Sequence, residues 1–253
     1  MNVSLDPRLF VAFLLATTRC AAWLTVSPPF QGAVPGKVRA GLALALGLIA
    51  TPSLAKHPDL PVGDTGALLG SLVYQAAIGL ALGVLVNILF QAVMAAGSAI
   101  DNFAGLTSAA IYDPTTKAAA APMGRLYQIL GLLVLFATGG HLLLIGGLIR
   151  TFDAAPIGGF RFDRMAELVT RDVGQFLLAT LQIAAPLLGA LFVTELLLGL
   201  ASRAAPQLNI LVVGFSVKGI VMIMLAAAAF PLVVYAVPQL TANALDAMWA
   251  LVR

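Results

Sequence analysis

Residues 66–100 read GALLGSLVYQAAIGLALGVLVNILFQAVMAAGSAI. This apolar run of about 35 residues is longer than the roughly 20 that a helix needs to cross a bilayer core. A strand of a membrane barrel would alternate apolar and polar side chains, and this stretch is continuous instead. It reads as a helix that must tilt, bend, protrude or fold back. Within it Gln75, Gly79, Gly83, Asn87, Gln91 and Ala95 recur at every fourth position. At 3.6 residues per turn such a row drifts by about 40° per step and winds part-way round the helix as one ridge. Small residues admit close backbone approach, and amides bond across helices. The ridge therefore packs against another helix of this chain or against a neighbouring chain, and both readings stand.

Composition agrees with a membrane-type chain. Of 253 residues, 60% are hydrophobic and 10% charged, against about 45–50% and about 25% in soluble domains. That leaves too little polar surface for a water-soluble globule, and disorder needs the opposite balance. The net charge is +3, but the 14 Lys and Arg are spread along the chain. No run of them forms a nucleic-acid patch. Cys20 stands alone, so it has no intrachain disulfide partner and reads as a small buried hydrophobe. Residues 9–18 have the length of a signal-peptide core. However, the positive charge before them is weak and Arg19 falls where a small-residue cleavage site should begin, so they read as a retained first helix.

Further apolar segments cover 9–26, ended by Ser27-Pro28-Pro29, and 38–50, closed by Thr51-Pro52. Others are 126–149, 173–201 with a kink expected at Pro186, and 208–237 with Pro231 inside. The expected fold is all-α: about six long apolar helices, some bent or incompletely spanning, with a C-terminal helical hairpin. Residues 150–172 hold eight of the 25 charged residues and are expected to meet water. Asp163 there is placed to N-cap a short helix leading into the fifth segment. Lys and Arg do not alternate between successive loops, which argues against six regular spans.

Catalytic patterns are absent. His57 and His141 lie far apart, and there is no His-Glu-x-x-His or Cys cluster. A phosphate-binding loop, a dinucleotide fingerprint and Gly-x-Ser-x-Gly are missing as well. The expectation is a chain without catalytic residues, cofactor or metal. Two ionisable residues do sit inside apolar runs, Glu195 and Lys218, and such residues tend to be functional. The turn between their segments centres on Pro206-Gln207, and each lies about eleven residues from it. In an antiparallel hairpin that places them at equal depth, where pairing offsets most of the cost of burying either. Alternatively, each faces a water-filled path or a partner chain. Residues 101–122 form a long connection with apolar Leu106, Ile111 and Tyr112 and a turn at Asp113-Pro114. Irregular backbone at membrane depth is tolerated only inside protein or along a cavity, and connections this long are often functional. A surface loop is the plainer reading.

The order Ile100-Asp101, Gly105, Asp113-Pro114, Pro122, Gly139-Gly140-His141, Phe152 and Pro156 resembles the FliR family. So do Glu195, Gly199, Arg203-x-x-Pro206-Gln207-x-Asn209, Gly214 and Lys218, and the N-terminal Arg19, Pro29-Phe30 and Pro35. The likeness covers essentially the whole chain and rests on order and spacing, not on one motif. Two positions depart from it: Ser216, where many members carry proline, and Leu106, where an aromatic often follows the glycine. They imply a softer break before Lys218 and a less tightly sealed loop.

The resemblance implies a subunit of the flagellar type III protein export gate, with SctT as the counterpart in virulence injectisomes. It implies one copy of this chain beside several copies of FliP and FliQ, with an FlhB-type protein around them. The site would be the bacterial inner membrane at the flagellar basal body, with much of the assembly held above the bilayer. Residues 1–172 would be similar in shape to FliP and residues 173–253 to FliQ. The loop 101–122 would act as a plug across the channel for unfolded flagellar proteins, by position through Gly105, Leu106, Ile111, Tyr112, Asp113 and Pro114. Arg203, Pro206, Gln207 and Asn209 would form the hairpin turn. Energy would come from proton motive force and a separate ATPase. A carrier for a small solute would also suit kinked helices with Glu195 and Lys218 inside them, but no repeat relates the two halves of the chain.

Overall fold

A computed structural model of the full chain describes residues 6–31, 34–106, 121–157, 160–205, 207 and 210–252. The described residues form α-helices joined by short connections, with no strand among them. In chain order these are α1 Pro7–Val26, α2 Gly36–Ala55, α3 Thr65–Ala104, α4 Pro122–Ala137, α5 Gly140–Ala154, α6 Met165–Ala204 and α7 Ile210–Ala250. A 3-10 turn, Phe162–Arg164, leads into α6. Four helices are long and apolar enough to cross a membrane, and two bent pairs raise the number to six if each counts as one span. The chain is thus all-α and membrane-type.

Local sequence explains where the helices start, stop and bend. Asp6 caps α1 by accepting a hydrogen bond from Arg8 N at 3.0 Å, with Pro7 in the first turn. Pro231 removes a backbone hydrogen bond inside α7 and its ring crowds the carbonyl four residues earlier. The helix accordingly bends by 53° between Val213–Ala227 and Ala229–Ala250.

Several expectations need correction. The apolar run 126–149 is not one helix: α4 ends at Ala137 and α5 begins at Gly140. Gly139 adopts φ +72 there, a left-handed conformation that glycine takes without a Cβ penalty, and Thr138 N bonds back to Val134 O at 2.9 Å. Pro52 does not close α2, which runs on to Ala55. At Pro186, where a kink is expected, the helix assignment of α6 runs on without a break, which leaves that expectation standing. Asp163 does not cap a helix. It lies inside the 3-10 turn and pairs with Arg161 at 2.8 Å. Nor does the whole charged stretch face water. Asp172 is fully buried, its carboxylate 3.5 Å from Arg171 Nη2. Helical spacing puts it one turn after buried Leu168, on the inner face of α6.

The chain divides into two compact units. The first comprises residues 1–89, 139–173 and 240–253, and its core includes Leu15, Trp23, Leu82, Leu148, Phe152 and Met248. The second comprises residues 90–138 and 174–239, with Val93, Ile100, Tyr127, Leu135, Leu187 and Val233 buried.

The first unit is organised around Arg19, which is completely buried. Its Nε donates to Gln75 Oε1 at 2.7 Å. Nη1 donates to Thr151 O and Oγ1 at 3.1 and 3.3 Å, and Nη2 to Ala155 O and Pro156 O at 2.7 and 3.1 Å. The guanidinium also lies 4.3 Å from the centre of the Phe152 ring. All five acceptors are neutral, and three are carbonyls at or just past the C-terminal end of α5, where the helix dipole favours a cation.

The four-residue row of α3 begins at this arginine. Gln75 Nε2 also donates to Pro156 O at 2.7 Å. A Cβ on Gly79 would collide with the Arg19 carbonyl, and one on Gly83 would lie 3.2 Å from Trp23 O. Asn87 Nδ2 donates to Val26 O at 2.9 Å and to Gln31 Oε1 at 3.2 Å. From Gln75 to Asn87 the row therefore packs along α1 within the chain. Gln91, in the second unit, is half-buried.

Lysine offers three donors from a point charge where arginine presents a five-donor fork. Arg19→Lys is accordingly expected to lose about 2 kcal/mol or more of stability, since buried acceptors are left unpaired. Thermal unfolding in detergent measures this. An unchanged midpoint would mean that the fork contributes nothing a plain cation does not.

Candidate functional site

The second unit holds both ends of the 101–122 connection and the paired charges of the α6–α7 hairpin. α4 begins without a cap of its own, since Ala121 precedes it and offers no side-chain acceptor. Pro122 occupies the first position, where a missing N–H does no harm. The next two N–H groups bond to Asp101, 22 residues upstream in the last turn of α3. Met123 N donates to Oδ1 at 3.1 Å and Gly124 N to Oδ2 at 2.9 Å. Asp101 is fully buried. A carboxylate at a helix N-terminus answers both the orphan donors and the helix dipole. Glycines let the two backbones meet: a Cβ on Gly97 would collide with the Met123 carbonyl. The two ends of the connection are thereby clamped together.

The α3 helix ends three residues after Asp101. Gly105 takes φ +80 and its N–H bonds to Asn102 O at 3.1 Å. A side chain at this position would be strained. A Cβ there would also stand 3.4 Å from Phe215 Cε1 of α7, so the chain leaves α3 against that ring. One turn beyond Phe215 on the same helix, Lys218 Nζ forms an ion pair with Glu195 Oε2 of α6. Lys218 is 17% exposed and Glu195 61%, so the lysine is the desolvated member and the carboxylate opens outward. A cavity of about 240 Å³ joins these features, lined by Gly105, Glu195, Gly199, Ser202, Phe215 and Lys218 among others.

The structure thus brings Gly105, Glu195 and Lys218 to one cavity. Leu106 is half-buried. Ile111, Tyr112, Asp113 and Pro114 lie outside the described residues, as do Pro206 and Asn209 of the hairpin turn. Arg203 sits in the last turn of α6, and both it and Gln207 are exposed. Gln75, Gly79, Gly83 and Asn87 belong to the α1 contact of the first unit. Sequence reasoning gave no role to Asp101, Gly97 or Phe215. The available signal for Asp101 was an acid closing an apolar run, with an uncapped Pro-Met-Gly helix start further on.

Comparison with known proteins places the chain in a class. It belongs to the bacterial export proteins, family 1, whose profile matches residues 10–244. It is similar to the flagellar biosynthetic protein FliR of Escherichia coli (strain K12), 37% identical over 234 residues, covering 92% of this chain and 86% of that one. It is similar also to FliR of Bacillus subtilis (strain 168), 31% identical over 223 residues, with 86% and 85% covered. The Yop proteins translocation protein T of Yersinia pestis is 28% identical over 253 residues, with 98% and 94% covered.

Replacing Asp101 with alanine removes two charge-assisted bonds from a buried helix end, an expected loss of about 2–4 kcal/mol. Asp101→Asn, which keeps the shape, should lose less. Hydrogen exchange at Met123 and Gly124 reads the effect, and unchanged protection in the alanine variant would remove the clamp.

Proposed function

We propose that this chain is a non-enzymatic subunit of a bacterial type III protein export gate, at work in flagellar assembly. Membership of the export family across residues 10–244 carries this reading. The similarity to FliR proteins over most of both chains supports the flagellar setting. The translocation protein of Yersinia, similar from end to end at lower identity, supports the injectisome setting as the second reading. The proposed location is the inner membrane at the flagellar basal body. The proposed partners are FliP, FliQ and FlhB-type proteins, with one copy of this chain in the assembly. Within that assembly residues 1–172 take the FliP-like part and residues 173–253 the FliQ-like part.

In this reading the connection that Asp101 clamps at both ends is the plug. A dry, apolar constriction stops water and ions, and an unfolded substrate has to displace it. Leu106, Ile111 and Tyr112 supply the apolar faces, and Asp113-Pro114 the turn. A plug of this kind needs fixed ends and a movable middle. The Asp101 bonds to Met123 and Gly124 support the first requirement. Glu195 and Lys218 contribute no catalysis in this scheme. They hold the hairpin that borders the same cavity.

The experiment is ion conductance of the assembled complex in bilayers. Exchanging Ile111 and Tyr112 for glycine should raise the resting conductance while the complex stays assembled. Conductance equal to the parent's would remove the plug assignment.

A further inference from the structure

We infer that the Glu195–Lys218 ion pair positions the point at which the chain leaves α3, acting through Phe215. Its consequence for export rests on the gate reading above; its geometry does not. Three observations meet in the second unit. First, Gly105, the left-handed residue that ends α3, faces the edge of the Phe215 ring, near enough that a Cβ there would stand 3.4 Å from Cε1. Second, Phe215 and Lys218 are three residues apart on α7 and therefore on one face of that helix. Third, both line the cavity that Gly105 and Glu195 also line.

The hairpin register gives the pair its leverage. Leu198 of α6 stands 3.5 Å from where a Cβ on Gly214 of α7 would be, one turn nearer the hairpin turn than Glu195 and Lys218. Leu198 thus faces Gly214 with room for a Cβ between them, and Gly214 offers no side chain to interlock. Above that contact the ion pair is what fixes the rotation of α7 about its axis. Rotation of α7 carries Phe215 with it, because Phe215 and Lys218 are on the same face. The seat of Gly105 then moves. An ion pair suits this task better than apolar contact because a leucine or methionine can slide along a neighbouring helix. A charge largely removed from water, as Lys218 is, stays with its counterion. The partial exposure of Glu195 leaves the clasp openable, since a carboxylate already in contact with solvent loses little on release.

Spin labels test this in the full chain co-assembled with its partners. Phe103 and Ile220 are both exposed, one at the end of α3 and one on α7 beside Lys218. In a Cys20→Ala background, nitroxides at these two positions report the placement of the α3 end by pulsed dipolar spectroscopy. Lys218→Met should shift or widen the distance distribution, and Phe215→Ala should do the same with the ion pair intact. Lys218→Arg should keep the parent distribution. The double exchange Glu195→Lys with Lys218→Glu should restore it, a result that loss of general stability would not produce. Glu195→Gln supplies the single-site reading if Lys218→Met does not assemble. A parent-like distribution in the folded Lys218→Met or Glu195→Gln chain would overturn the inference. So would a charge exchange that folds but leaves the distribution displaced. These distances do not depend on whether the complex conducts, so failure here and failure of the plug assignment are told apart.

Discussion

A helix end surrounded by apolar side chains has no water to satisfy its unpaired backbone groups, and this constraint shapes the protein. Each α-helix leaves four N–H groups at one end and four carbonyls at the other. In an apolar setting each unsatisfied group costs several kcal/mol. The bent pair α4 and α5 shows the solution. Buried Asp101 accepts from the first N–H groups of α4, and buried Arg19 donates to carbonyls at the far end of α5. The anion lies at an N-terminus and the cation at a C-terminus, as the helix dipole requires. Each charge comes from a helix distant in sequence, so satisfying a helix end also fixes a tertiary contact.

Close backbone approach makes these reaches possible. Arg19 spans to α5 in a unit where α1 and α3 run so near that Gly79 and Gly83 admit no larger residue without a shift of the α1 backbone or its side chains. Asp101 reaches α4 beside Gly97, which meets the Met123 carbonyl. Glycine thus acts here as a spacing device between helices and, at Gly105 and Gly139, as a backbone device where the chain turns. Both uses serve one end: charged and amide groups are brought to backbone partners with no water between.

The sequence carried the helical class openly, because continuous apolar runs of this length admit little else. A count from the turn also suggested Glu195 and Lys218 as neighbours, and their side chains form an ion pair across the hairpin. It did not carry the break at Gly139, since the residues on both sides are equally apolar and periodicity does not change across it. It misled at Pro52, where α2 runs on to Ala55. It marked Asp101 and Arg19 only through the family resemblance and gave neither a role, because the partners of Asp101 and most of those of Arg19 are backbone atoms, which every residue possesses and no side-chain pattern marks. The small-and-amide row of α3 was visible as a ridge, but its partner was not: α1 appears only once Gln75 and Asn87 are seen to bond to Arg19 and Val26 of that helix.

In the proposed gate this chain is one member of a hetero-oligomer. Native mass spectrometry of the tagged chain, extracted in detergent after co-expression with its candidate FliP and FliQ partners, tests this most directly. A single copy of this chain inside a larger complex containing both partners is the expected result. A monomer or homodimer that ignores both would contradict it.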